Sequence, residues 1–292
     1  MKLAQRMSLL GTETAFEVLA RARELEACGK HIIHLEIGEP DFNTPSNIIS
    51  AACKALHDGY THYGPSAGLP ELREVIANEI SKRRKIKVKA SNVVVTPGAK
   101  PIMFFAVLAL VEKGDEVIYP NPGFPIYESI INFMGAKAVP IRLREENQFR
   151  MDLGEIKKLV NKKTKMVFLN SPHNPTGAVL TYQDLKELAE IVSKYKKLYI
   201  LSDEIYNRDI YEGQHYSIAS FPGMQDRTII LDGLSKAYAM TGWRLGYGVM
   251  NQKIAEAMAR LMVNSNSCTA TFTQRAALEA ILGPQAEVEK MV

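Results

Sequence analysis

The stretch Leu231-Asp232-Gly233-Leu234-Ser235-Lys236-Ala237-Tyr238-Ala239-Met240-Thr241-Gly242-Trp243-Arg244 sets a lysine on a small-residue turn just after the apolar run Thr228 to Leu231. A hydroxyl, Ser235, stands beside that lysine, and Arg244 follows it in the same stretch. Lysine is seldom left at the end of a buried strand without a partner. Its amine ionises near ~10.4 when unperturbed, so the surroundings must depress it before it acts as a nucleophile. One chemistry uses all three residues: a Schiff base between Lys236 and an aldehyde cofactor whose phosphate Ser235 and Arg244 hold. Taken alone, Lys236 is as well explained by a solvated loop, so the elements around it must decide.

Those elements alternate. Short apolar strands are expected at His31 to Ile37, Val93 to Val95, Glu116 to Tyr119, Ala136 to Ile141, Met166 to Leu169, Leu198 to Leu201, Thr228 to Leu231 and Leu245 to Val249, with helices between them. Thr14 with Glu17 reads as a capping box, Gly29 as a helix stop, Pro70 as the first turn of a helix reaching about Arg84, and Thr181 with Asp184 as another helix start. Continuous apolar strands separated by helices mean an α/β fold, a mainly parallel sheet covered on both faces. Right-handed crossovers bring the strand C-termini to one edge, where ligands bind in such sheets. Gly98, Phe124, Asn174, Asp203 and Lys236 all follow strands, so they can share one crevice although they are far apart in sequence. The turn Thr96-Pro97-Gly98-Ala99-Lys100 before a helix is also a ready anion site, since the first N–H groups of a helix are unpaired.

Composition narrows the function classes. The 292 residues are 46% hydrophobic and 23% charged, an ordinary globular balance. Net charge is +4, from 36 basic and 32 acidic residues, so no overall field argues for nucleic acid. The basic run Lys82-Arg83-Arg84-Lys85 reads as the solvated end of an amphipathic helix, where cations are welcome. Cys28, Cys53 and Cys268 form neither a disulfide framework nor a metal pattern, which favours a reducing cytoplasm. His31 and His34, with no third ligand nearby, read as ordinary histidines. The longest strongly apolar run, Ile102 to Val111, is too short to span a bilayer, and the N-terminus carries no secretion pattern.

Five words of the chain together resemble the class I/II aminotransferases, pyridoxal-phosphate enzymes of the aspartate aminotransferase fold. They are Gly38-Glu39-Pro40-Asp41, Tyr63 to Gly68, Asn174-Pro175-Thr176-Gly177, Ser202-Asp203-Glu204-Ile205-Tyr206, and Ser235-Lys236 through Gly242-Trp243-Arg244. The resemblance implies a seven-stranded large domain over residues 46–282. It also implies an N-terminal arm with part of a small domain over 1–45, and the start of a linking helix at 283–292. Carried over, Lys236 would form the Schiff base and shuttle the substrate proton. Asp203 would pair with the ring nitrogen and keep the ring an electron sink. Asn174 and Tyr206 would bond the ring's phenolic oxygen, and Phe124 would stack on the ring face. The backbone at Ala99 and Lys100, with Ser235 and Arg244, would hold the phosphate, joined by Tyr63 of a partner subunit, so a homodimer is implied. Gly38 and Asn174 would meet the substrate. Cis peptide bonds are implied before Pro122 and Pro175.

The resemblance implies a longer chain as well, with a completed small domain and an arginine that grips the substrate α-carboxylate by two prongs. This chain stops at Glu287-Val288-Glu289-Lys290-Met291-Val292, by pattern the middle of a helix. On that ground it is expected to bind cofactor while orienting substrate poorly, because positioning supplies much of the rate. The leading function is transfer of an amino group between an L-amino acid, aspartate-like by default, and a 2-oxo acid. A lyase or decarboxylase on the same scaffold is the second reading, and a cofactor-binding remnant without turnover the third. The residues Asn264 to Thr271 are placed near the site without an assigned specificity.

Overall fold

The computed structural model describes residues 2–292; Met1, inside the expected arm, lies outside the described residues. In chain order the elements are α1 Thr14–Ala27, α2 Ser46–His57, α3 Pro70–Arg84, β1 Val93–Thr96, α4 Lys100–Leu110, β2 Glu116–Asn121, α5 Ile126–Phe133 and β3 Lys137–Arg142. They continue with α6 Leu153–Leu159, β4 Thr164–Asn170, α7 Tyr182–Ser193, β5 Tyr199–Asp203, β6 Thr228–Gly233, β7 Gly246–Val249, α8 Gln252–Ser265, α9 Thr271–Leu282 and α10 Ala286–Met291.

The strands form one seven-stranded sheet in the order β1-β7-β6-β5-β4-β2-β3. Only β7 runs against its neighbours β1 and β6; the other pairs are parallel. Buried strand residues alternate between faces, as the two-residue period requires. Phe168 packs with α4, α5 and α8 on one face, while Val167 and Leu169 pack with α6 and α7 on the other. At the β1 side, that second face is covered by α2, α3 and α9. The fold class, α/β with a mainly parallel sheet of seven strands, is therefore as expected.

Small residues let the layers close. A Cβ on Gly246 would lie 2.4 Å from the backbone nitrogen of Ala99, so β7 can approach the start of α4 only as glycine there. The helix ends Ser46, His57, Pro70 and Arg84 fall where expected, and Thr181 and Asp184 form their reciprocal capping box. Peptide bonds are cis before Pro122 and Pro175, and also before Pro172.

Three expectations fail. His31 to Ile37 forms no strand: it has no partner among the described residues, and Ile33 and Leu35 face outward. A strand exists only by hydrogen bonding to a neighbour. Thr14 does not cap α1; it is already helical, and Glu13, at the cap position, sends its carboxylate elsewhere. Arg84 is not solvated but 5% exposed, unlike Lys82, Arg83 and Lys85 around it. Thr271 hydrogen-bonds the carbonyls of Tyr60 and His62 in the loop before α3.

Candidate active site

Because β7 is reversed, the ends of β1, β2, β4, β5 and β6 and the start of β7 all lie on one edge of the sheet. Thr96, Asn121, Asn170, Asp203, Gly233 and Gly246 mark that edge. Asp203 is one of these positions, Ala99, Lys100, Phe124, Asn174, Tyr206, Ser235 and Lys236 follow one closely, Arg244 precedes Gly246, and Gly38 and Tyr63 follow no strand.

Asp203 closes β5 and is buried. Tyr127, from the first turn of α5, donates its hydroxyl to Asp203 Oδ2 at 2.6 Å, and the Ile205 N–H approaches Oδ1 at 3.4 Å. Burial pushes the Asp203 carboxyl up to about 6, against the pull of Tyr127, Ile205 and the distant Lys236 ammonium. Among the described residues it makes no salt bridge. Tyr127, fully buried, is held well above the ordinary phenol value by burial and by Asp203, so it stays a donor.

Asn170, at the end of β4, links the second group of residues. Its amide donates to the Asp203 carbonyl at 3.1 Å, and its Oδ1 accepts the Asn174 N–H at 2.7 Å. Asn174 Nδ2 in turn donates to the Tyr206 hydroxyl at 3.3 Å. Lys236 Nζ lies 5.7 Å from the centre of the Tyr206 ring and donates to the Gly38 carbonyl. Burial lowers the pKa of this lysine, while Glu39, Asp209 and Glu13 pull it back up. An amine whose pKa burial lowers is better placed to act as a nucleophile.

The anion cradle sits at the start of α4. Gly98 adopts φ +81°, and a Cβ there would lie 2.2 Å from Arg244 Nη2, so the guanidinium covers the turn. Arg244 Nη1 donates to the Thr241 carbonyl at 2.8 Å, which fixes its reach. Ala99 and Lys100 open the helix, and Ser235 is half-buried beside Lys236. Lys100 Nζ stands 5.2 Å from the centre of the Phe124 ring and pairs with the Glu13 carboxylate. Phe124 meets Tyr127 edge-on, ring centres 5.7 Å apart. Tyr63 alone stays out of this group, 89% exposed.

The structure thus gathers Gly38, Ala99, Lys100, Phe124, Asn174, Asp203, Tyr206, Ser235, Lys236 and Arg244 along one edge. Sequence reasoning missed Tyr127, Asn170 and Glu13. For Tyr127 the available signal was its spacing from Phe124 across one helical turn; for Asn170, its place at a strand end. Glu13 carried none.

A family model described as "Aminotransferase class I and II" matches residues 30–292. The chain belongs to the class I and II aminotransferases. An aspartate aminotransferase of Bacillus subtilis (strain 168) is 39% identical over all of the chain and 74% of its own length. A probable aspartate aminotransferase of Methanocaldococcus jannaschii is 43% identical, covering 89% of the chain and 69% of its own. The solved aspartate aminotransferase of Thermus thermophilus with maleate superposes with a TM-score of 0.96 at 35% identity, over all of this chain and 76% of that one. The chain spans about three quarters of these relatives.

Aminotransferases of this family use pyridoxal phosphate, and the residues of this aminotransferase fit it. Asp203 is a buried carboxylate lacking a cation, which suits a ring that presents a cationic N–H. The helix start roofed by Arg244 suits a phosphate.

Two outcomes follow for this aminotransferase. In Tyr127→Phe, Asp203 loses its only side-chain donor. Stability should fall by about 1.5–3 kcal/mol, and pyridoxal phosphate should bind roughly tenfold more weakly at pH 7. Unchanged Tm and Kd would contradict the role of that hydroxyl. The second concerns pH. A carboxyl that ionises near 6 in the folded chain and near 4 unfolded favours folding most when protonated. Its contribution is present below about pH 4 and lost as pH rises through about 6, a cost of about 3 kcal/mol at neutrality. A cationic ring beside Asp203 removes that cost. The gain in Tm on adding the cofactor should therefore be larger at pH 7.5 than at pH 5, by thermal unfolding with the cofactor in fixed excess. A larger gain at pH 5 would refute it.

Proposed function

We propose that this aminotransferase moves an amino group between an acidic, aspartate-like L-amino acid and a 2-oxo acid, using Lys236 and Asp203 as its reactive pair. The observation that carries the reading is the unbroken set of contacts from Lys236 through Tyr206, Asn174 and Asn170 to Asp203. When bound, pyridoxal phosphate supplies an electron sink for the pair left behind as the substrate loses its Cα proton.

The protein's own groups do the rest. Asp203, steadied by Tyr127, would hold a proton on the ring nitrogen. Asn174 and Tyr206 orient the ring's phenolic oxygen, with burial pushing the Tyr206 phenol up to about 12, so it remains a donor. Ser235, Arg244 and the N–H groups at Ala99 and Lys100 grip the phosphate. Phe124 covers one ring face and keeps water off it. Lys236 Nζ would hold the cofactor and, once freed by the incoming amino donor, would take the Cα proton and deliver it to the cofactor's carbon. Gly38 and Asn174 meet the substrate's carboxylate.

The acidic preference rests on Lys100. Its ammonium lies beside Phe124, inside the crevice, and already holds one carboxylate, that of Glu13. A substrate carboxylate of similar reach can take that place. Residues 46–282 form the cofactor-binding domain in this reading, 1–45 an arm with part of a small domain, and 283–292 the start of a linking helix. The exposed Tyr63 serves the phosphate of a second copy, so the working form is a homodimer. Three free cysteines, two of them exposed, fit a cytoplasmic setting; among the described residues no helix is long and apolar enough to cross a membrane.

A screen of amino donors against 2-oxoglutarate, with added pyridoxal phosphate, tests the substrate class. Aspartate should react fastest. Faster turnover of aliphatic or aromatic donors would remove the acidic preference, and a protein to which borohydride fixes no cofactor would remove the whole reading.

A further inference from the structure

Arg84 is the one member of its basic run that turns inward. It continues the buried stripe Leu72, Ile76, Ile80 of α3 at four-residue steps, the spacing of one helix face. Its Nε donates to Glu204 Oε2 at 2.7 Å and its Nη2 to Asp232 Oδ2 at 3.2 Å. The remaining valences are filled. Glu204 Oε1 accepts from Ser202 Oγ at 2.9 Å and Ser217 Oγ at 2.6 Å. Asp232 accepts from Asn207 Nδ2 at 2.9 Å and from the Gly233 N–H at 2.7 Å, while His215 Nε2 lies 3.7 Å from Glu204. Burial would depress the guanidinium, but the two carboxylates hold its pKa above the ordinary value, so it stays charged.

The places of the two carboxylates in the chain give the cluster its meaning. Glu204 directly follows Asp203, and its side chain leaves the other face of the sheet. Asp232 sits at the end of β6, and its Oδ1 fixes the first N–H of the turn that ends in Lys236. One guanidinium therefore ties the exit of β5 to the exit of β6. Those two exits carry the carboxylate and the amine of the proposed reaction. Buried ion groups are weak sources of stability, since apolar replacements of similar volume are often neutral or better. What this one does supply is a fixed separation between two strand ends.

We propose that Arg84 is a positioning residue for amino transfer: it holds Lys236 in register with Asp203 by clamping Asp232 to Glu204. The proposal rests on the reading of Lys236 and Asp203 as the reactive pair. The test compares Arg84→Met, of similar length without charge, and Asp232→Asn, which keeps the side-chain shape but sets an amide donor against either Arg84 and Asn207 or the Gly233 N–H. Both are assayed as cofactor-loaded protein at a temperature where circular dichroism matches the parent.

In Arg84→Met, kcat should fall by roughly ten- to a hundred-fold while KM for the amino donor stays within about twofold, as a misplaced reacting group requires. In Asp232→Asn, kcat should fall several-fold in the same direction. Amide hydrogen exchange on cofactor-free protein should speed up across Gly233 to Met240 in both variants and stay unchanged in β3, on the far edge of the sheet. Variants that lose Tm but keep the parent's kcat and the parent's exchange in that turn would reduce Arg84 to a structural ion pair and overturn the proposal. Should Arg84→Met not fold, Asp232→Asn decides by the same two readouts. Failure of borohydride to fix cofactor to the parent protein sinks the function itself; a labelled parent with unaffected variants sinks only the clamp.

Discussion

Lys236→Ala is expected to abolish amino transfer and to leave the fold intact. The side chain projects from a turn into the crevice, and its recorded contacts are the Gly38 carbonyl and the Tyr206 ring, neither part of the hydrophobic core. Removing it therefore deletes one hydrogen bond, and a net loss of about 1 kcal/mol or less is expected. The chemical loss is much larger. In the proposed function the amine is at once the covalent anchor and the proton carrier, and groups with both duties typically contribute several orders of magnitude. The check is threefold: circular dichroism unchanged, no cofactor retained after borohydride and denaturation, and no 2-oxo acid formed from an amino donor. Normal turnover in the variant would end the assignment.

Asp203→Ala should give the second largest effect and a different pattern. In the proposed function the carboxylate is not the covalent anchor, so the proposed phosphate cradle under Arg244 should still retain part of the cofactor. Without a negative charge beside it the ring nitrogen loses its proton near neutrality, and the ring then withdraws electrons poorly. Activity should fall by roughly a thousandfold or more, on the scale of losing one preorganised charge in a buried site. Stability of the cofactor-free chain should not fall in proportion. The deletion also removes a buried carboxyl whose ionisation near 6 costs the fold at neutral pH. A variant that kept full activity would place the ring's partner elsewhere.

Much of this was legible before any coordinates. The seven strands could be read because each is a short apolar run between turn residues, and the helix starts at Pro70 and Thr181 because their capping chemistry is local. Most of the candidate site residues could be listed because they follow strand ends, and strand ends in a parallel sheet share an edge. What stayed hidden depends on distance through space. His31 to Ile37 has a strand's composition but no neighbour to pair with. Arg84 looks like its basic surroundings, and only the stripe it shares with Leu72 and Ile80 marks it as buried. Tyr127 is an ordinary helix aromatic until α5 lays its hydroxyl on Asp203, and Glu13 gives no local hint that it will meet Lys100.

The reversal of β7 also bears on how the molecule is born. Among the described residues β1 pairs with no strand but β7, and the turn proposed to hold phosphate leads directly from β1. A nascent polypeptide leaving the ribosome can zip β2 to β6 as soon as those segments emerge, but its first strand must wait for Gly246 to Val249 before it has a bed to lie in. Completion of that turn's surroundings is thereby postponed to late in synthesis, and shorter products would present an unpaired strand edge.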